Sequence, residues 1–138
     1  AVMLKQKTTI VNLANRLCTR LEENADYQKI VAREAIRLEI SLNEAVKLRE
    51  KRLSETGEKR EILVFLHFPP DFREYVCEEI TAVLKKFGIK RCFFGHIHGV
   101  YDIPLRTYSD GIEYTITSAD YLDFKPLKIE PFTRGFDS

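Results

Sequence analysis

Glu61-Ile62-Leu63-Val64-Phe65-Leu66-His67-Phe68-Pro69-Pro70 and Ile89-Lys90-Arg91-Cys92-Phe93-Phe94-Gly95-His96-Ile97-His98-Gly99 are the two stretches that decide the fold. The first turns apolar abruptly and does not alternate, so it reads as a strand buried on both faces, as in the centre of an α/β sheet. It ends at His67, because Pro69-Pro70 cannot donate to a ladder. The second reads as another buried strand, Ile89 to Phe94, that runs straight into Gly95 to Gly99. Between them Asp71 starts a predicted helix in which Phe72, Val76, Ile80, Val83 and Phe87 share a face. Glu78 and Glu79 lie early in it and Lys85 and Lys86 late, as the helix dipole favours, and Gly88 supplies the stop. A crossover this short makes the two strands parallel. His67 and the His96/His98 pair therefore leave the sheet at one carboxyl edge, where open α/β sheets place their sites.

The chain has three histidines, and all of them stand in these two motifs. In extended chain, residues two apart point the same way, so His96 and His98 are expected to face one cavity while Ile97 points into the core. Gly95 and Gly99 leave the backbone free to turn and a ligand free to approach. A lone histidine at a strand end is usually a surface residue or a satisfied hydrogen bonder. Two imidazoles so close together, flanked by glycines, have little structural use but suit a metal well, neutral imidazole being a common ligand. His67, His96 and His98 are the expected metal ligands. Cys92 is an alternative ligand beside His96 and His98, against the simpler reading that strand alternation buries it. Asp120, Tyr121 and Asp123 are further candidates, against the reading that they form a turn at the end of a hairpin.

Working outward, residues 8 to 22 place Ile10, Leu13, Ala14, Leu17 and Leu21 at helical spacing. Asn24 or Asp26 can cap the next helix, whose Val31, Ala35, Leu38, Leu42 and Ala45 form one stripe. Arg33, Glu34, Arg37, Glu39 and Lys47 mark its wet side. Ser41-Leu42-Asn43-Glu44 has capping-box spacing, so a bend or restart is expected there, and Gly57 opens a loop. Tyr101 to Tyr108 and Ile112 to Ser118 flank Ser109-Asp110-Gly111, a hairpin signal. Ile112, Tyr114 and Ile116 alternate with Glu113, Thr115 and Thr117, which predicts one buried face and one wet face. Leu122, Phe124, Leu127 and Ile129 suggest another extended segment broken by Pro126, and the last residues read as a frayed tail.

Composition narrows the function classes. The 138 residues fit one domain with a real core, and 22 Lys and Arg against 21 Asp and Glu leave a net charge of +1. There is no basic stripe for nucleic acid, no acidic tail and no internal repeat. No apolar run reaches the roughly 20 residues that cross a bilayer, and the N-terminus lacks a signal-peptide layout. Cys18, Cys77 and Cys92 are an odd, sparse set that reads as reduced thiols, so a cytoplasmic location is expected.

At His67 and Gly95-His96-Ile97-His98-Gly99 the chain resembles the calcineurin-like metallophosphoesterase superfamily, and within it the small bacterial phosphohydrolases. The likeness runs from about Tyr27 to Ile129. It passes through Arg33-Glu34, Arg37-Leu38-Glu39, Ser41-Leu42 and Leu66 to Pro70. It continues through Phe94 to Gly99, Asp110 to Tyr114 and Ser118 to Phe124. The resemblance implies an α/β fold: the C-terminal half of a β-sandwich flanked by helices, with N-terminal helices, a strand–helix–strand unit and a terminal hairpin. Residues 1–23 are a poorly matched helical segment and residues 24–138 a partial metallophosphoesterase domain. It implies hydrolysis of a small phosphomonoester or phosphodiester with two divalent ions, manganese, iron or zinc. His67 and His96 would hold one ion and His98 the other. The ions activate water and neutralise charge on the phosphoryl oxygens.

The chain departs from that pattern in one large respect. The family's Asp-x-His, Gly-Asp-x-x-Asp and Gly-Asn-His-Asp/Glu motifs are missing, and no histidine precedes position 67. The bridging carboxylate and the general-acid histidine are therefore absent, so no catalytic side chain is assigned. The chain is expected to be a fragment, a truncated reading frame or the partner of a separately encoded half, inactive alone. The alternative is a non-catalytic interaction module or remnant, for which a retromer subunit of the same fold is a precedent. Strands that would pair with the other half leave an open apolar edge, so a homodimer or a complementary N-terminal half is the expected partner.

Overall fold

The computed structural model describes residues 25–131. The helix expected over residues 8–22, the segment 1–23 and the terminal tail lie outside them. The described residues form a mixed α/β arrangement of two helices, a four-stranded mixed sheet and a small two-stranded sheet. No helix among them is long and apolar enough to cross a membrane.

Helix α1 (Ala25–Thr56) runs 32 residues without interruption, so the helix does not restart at Ser41–Glu44. Ser41 and Asn43 are exposed there, and Leu42 buries between them in the core. The predicted stripe is the buried one: Leu42 belongs to the core, and Ala35 and Leu38 pack against it. Gly57 ends the helix in a left-handed conformation, its N–H reaching Leu53 O at 2.8 Å.

Strand β1 (Val64–Leu66) is shorter than expected and stands at one edge of the four-stranded sheet. It is not buried on both faces: Phe65 remains 59% exposed. The apolar run that suggests a central strand instead serves one core face, through Val64 and Leu66, and Phe65 stacks on Phe93 at 4.7 Å. After Pro70 comes a second correction. Asp71–Phe72 (β2) and Tyr75–Val76 (β3) pair as a tight antiparallel hairpin where a helix start is expected. Arg73 takes a positive φ of 56° in its turn, and Cys77 N–H bonds back to Pro70 O. The spacing of Phe72 and Val76 fits a helix face, yet tertiary contacts win. Tyr27 of α1 hydrogen-bonds Tyr75 at 2.5 Å, Phe72 packs edge-on to Phe94, and Val76 is left 47% exposed.

Helix α2 (Glu78–Lys86) comes next, with Glu78 and Glu79 in its first turn and Lys85 and Lys86 in its last. It buries Val83 and Leu84, packs against α1, and an ion pair joins Lys86 to Glu39 of α1. Gly88 ends it at φ 66°. Strand β4 (Arg91–Phe94) is buried throughout. Strand β5 (Arg106–Ser109) and strand β6 (Ile112–Ile116) complete the sheet, whose order is β1-β4-β6-β5. Strand β4 runs parallel to β1 on one side and to β6 on the other. Strand β5 closes the second edge antiparallel to β6.

The register aligns Val64, Cys92 and Tyr114 across the sheet. That face carries the core together with Leu42, Val83, Leu84 and Ile89, so both helices cover the same side. The expected wet face of β6 is a further correction, since Thr115 is fully buried. It lies beside Phe93 in the interior of the sheet, where nearest neighbours on two sides exclude water. On the same face Arg91 forks onto Glu61 at 2.8 and 2.5 Å and onto Glu130 O at 2.8 Å. Residues 119–124 form turns, and 125–131 are irregular rather than another strand. Leu122 N–H bonds Ser118 O and Phe124 N–H bonds Ala119 O, local bonds that close turns instead of a ladder.

Candidate functional site

Parallel pairing of β1 and β4 sends both strands out at one edge. Gly95 N–H lies 3.3 Å from Leu66 O and 3.1 Å from His67 O, which laces the two exits together. The His67 and His96 rings meet there, with Nε2 of His67 3.2 Å from Nδ1 of His96. Phe68 lies edge-on to His67 at 4.8 Å and tilted over His96 at 4.3 Å.

The chain at His96 is not extended. His96 has φ 64°, and Ile97 N–H bonds Gly95 O at 2.7 Å, so three residues close a γ-turn around a histidine, a rare and strained arrangement. This corrects the reading that places both imidazoles on one side by strand alternation. Ile97 still reaches the core, but His96 turns to His67 and His98 turns to Asp120. Nδ1 of His98 lies 2.6 Å from Asp120 Oδ1. The other oxygen of Asp120 accepts from Gly99 N–H at 2.8 Å and from Tyr101 Oη–H at 3.1 Å.

These contacts set the charge states. Burial, together with the neighbouring His67 and His98, moves His96 below the ordinary histidine range and keeps the ring neutral. Burial acts on Asp120 in the opposite sense, but hydrogen bonds from Gly99, His98 and Tyr101 outweigh it and hold the carboxyl below its usual range. Nε2 of His96 is buried without a partner among the described residues. An unsatisfied buried nitrogen costs about 1–3 kcal/mol, which a hydrogen-bond acceptor at that atom would remove.

The donor set fits a cation only in part. Two nitrogens on one tetrahedral ion, each about 2.0–2.1 Å from it, stand roughly 3.3 Å apart. The His67–His96 separation matches that edge. Yet among the described residues no group of three or more His, Cys, Asp or Glu is arranged to hold a metal ion. Cys92 is not one of the donors. It is a free, fully buried thiol in the core, which burial pushes up to about 12.

Sequence reasoning places His67, His96 and His98 at one edge, and the structure puts them there. Asp120, for which a site role and a plain turn stand equally open in the sequence, bonds His98. Asp123, by contrast, is exposed beside Lys125, and Tyr121 bonds Ile103 O. Nothing in the sequence singles out Tyr101 or Phe68. The signal for Asp120 is its place just after β6, since a strand parallel to β4 delivers its own exit loop to the same edge. Comparison of the chain with protein-family models, with curated proteins and with solved structures finds no match in any of the three.

Proposed function

We propose that this chain contributes His67, His96 and His98 to the divalent-metal centre of a phosphoric ester hydrolase of the calcineurin-like metallophosphoesterase class. One observation carries the reading: two imidazole nitrogens 3.2 Å apart at the carboxyl edge of adjacent parallel strands, one of them on a strained turn. Strain of that kind persists where the surroundings enforce it, and it clusters at functional sites.

His67 and His96 act as the donor pair for one ion, and His98, held by Asp120, for the second. Ions bound there would lower the pKa of water and offset charge building on phosphoryl oxygens. Neutral imidazoles bring no negative charge, so the centre keeps a positive potential that favours an anionic phosphate ester. Phe68 lies against both rings of the His67–His96 pair and adds an apolar wall beside them. Further oxygen ligands have to come from outside the described residues, because these donors do not close a shell.

That incomplete shell also favours a second reading, in which the chain is a non-catalytic interaction module of the same fold. Two measurements separate them. Turnover of chromogenic phosphomonoesters and phosphodiesters with manganese, on the protein as its own gene encodes it, is expected and should vanish in His96→Ala. Turnover unchanged in that variant ends the hydrolase reading. Titration of the chain with zinc should show binding that weakens at least about tenfold in His67→Ala and in His96→Ala. Zinc binding without turnover selects the second reading, and no zinc binding removes the metal centre altogether.

A further inference from the structure

We infer that Asp120 is the positioning residue that selects the tautomer of His98 and so decides whether its outer nitrogen can act as a donor. The inference rests on the metal reading for its purpose, but not for its geometry. Asp120 is 6% exposed, while the imidazole it holds is 46% exposed, so a shielded carboxylate stands behind a ring that reaches solvent. Oδ1 sits 2.6 Å from Nδ1 of His98, and Oδ2 takes Gly99 N–H and Tyr101 Oη–H.

An ionised carboxylate only accepts hydrogen bonds, so Nδ1 of His98 has to carry the hydrogen. A neutral ring protonated at Nδ1 presents a lone pair at Nε2, the form a metal needs. The same carboxylate spans two exits of the sheet, since His98, Gly99 and Tyr101 come after β4 and Asp120 comes after β6. It therefore fixes the ring's direction along with its tautomer. The substitution Asp120→Asn would keep the shape and lose the logic. The amide oxygen would be claimed by the Gly99 N–H, leaving the NH2 group facing Nδ1 of His98. The ring would then protonate at Nε2 and withdraw the lone pair.

Long-range proton–nitrogen NMR on histidine-labelled protein reads the tautomer directly, with no metal present. The wild-type chain is expected to carry the His98 hydrogen on Nδ1. In Asp120→Asn it should move to Nε2, and zinc affinity should fall about 10- to 100-fold. In a His98→Ala background the Asp120→Asn change should alter zinc affinity less than about twofold, because the positioned group is gone. A wild-type His98 protonated at Nε2 overturns the inference, whether or not any variant folds. So does an Asp120→Asn protein that keeps both tautomer and affinity. Wild-type protein with the Nδ1 hydrogen but no affinity for zinc supports the positioning while removing the metal reading, so the two fail separately.

Discussion

His96 combines two unfavourable features in one residue: a φ of 64° within a γ-turn and a buried ring nitrogen without a described partner. Backbone strain of this sort costs on the order of 1–3 kcal/mol. Alanine at 96 removes the ring but keeps the strained backbone, whereas glycine removes both. His96→Gly is therefore expected to be more stable than His96→Ala by about 1 kcal/mol in urea unfolding, although both lose the donor. An alanine variant as stable as the glycine variant would show that position 96 holds no strain. Three histidines in two motifs, joined by a short crossover, are enough to read their common edge from sequence. Strand alternation is the wrong guide to their directions, because a γ-turn interrupts the extended chain at the first histidine of the pair. Asp120 is only half legible: its type invites a site role, but its partner depends on which strand lies next to β6.

Hairpin β5–β6 shows where local chemistry suffices. Asp110 and Gly111 have φ of 54° and 82°, the two positive values that a two-residue turn of this hand requires. A β carbon at Gly111 would meet nothing within 4 Å, so conformation alone sets the penalty there. Gly111→Ala should cost about 1 kcal/mol and lower the melting temperature with the hairpin otherwise intact. No measurable loss would mean the turn relaxes into another type. The 71–76 segment shows the opposite case. Its apolar spacing suits a helix, but Tyr27 and Phe94 supply partners from distant elements, and the chain turns back as β2 and β3 before α2 begins. Helix α1 shows the same dependence on context, since apolar contact at Leu42 overrides a capping sequence that would have broken it.

Across the whole molecule, one sheet face carries both helices and the other is held by Phe93, Thr115 and the Arg91–Glu61 pair. Cys92 and Tyr114 are paired in register at the centre of the helix-covered face. Burial raises both above their ordinary values, the thiol from 9.0 to about 12. The unfolded chain releases the thiol proton near its ordinary value, so the folded state has the full benefit below that point. Stability should decline as pH rises from about 9 towards 12, because the unfolded state then binds fewer protons. Thermal melts in that range should show a slope shallower by about one proton in Cys92→Val, and equal slopes would contradict the assignment.

Features that each short stretch settles alone are legible from the residues: the stripe of α1, the positive-φ turn, the apolar strands and the parallel crossover that gathers the histidines. Tertiary structure alone decided that β1 lies at an edge with Phe65 exposed, that residues 71–76 pair as strands, and that His98 meets Asp120 while His96 meets His67. Periodicity and backbone preference act over a few residues and can be read from one segment. The choice of neighbour is a free-energy competition among distant segments, and no single segment contains it.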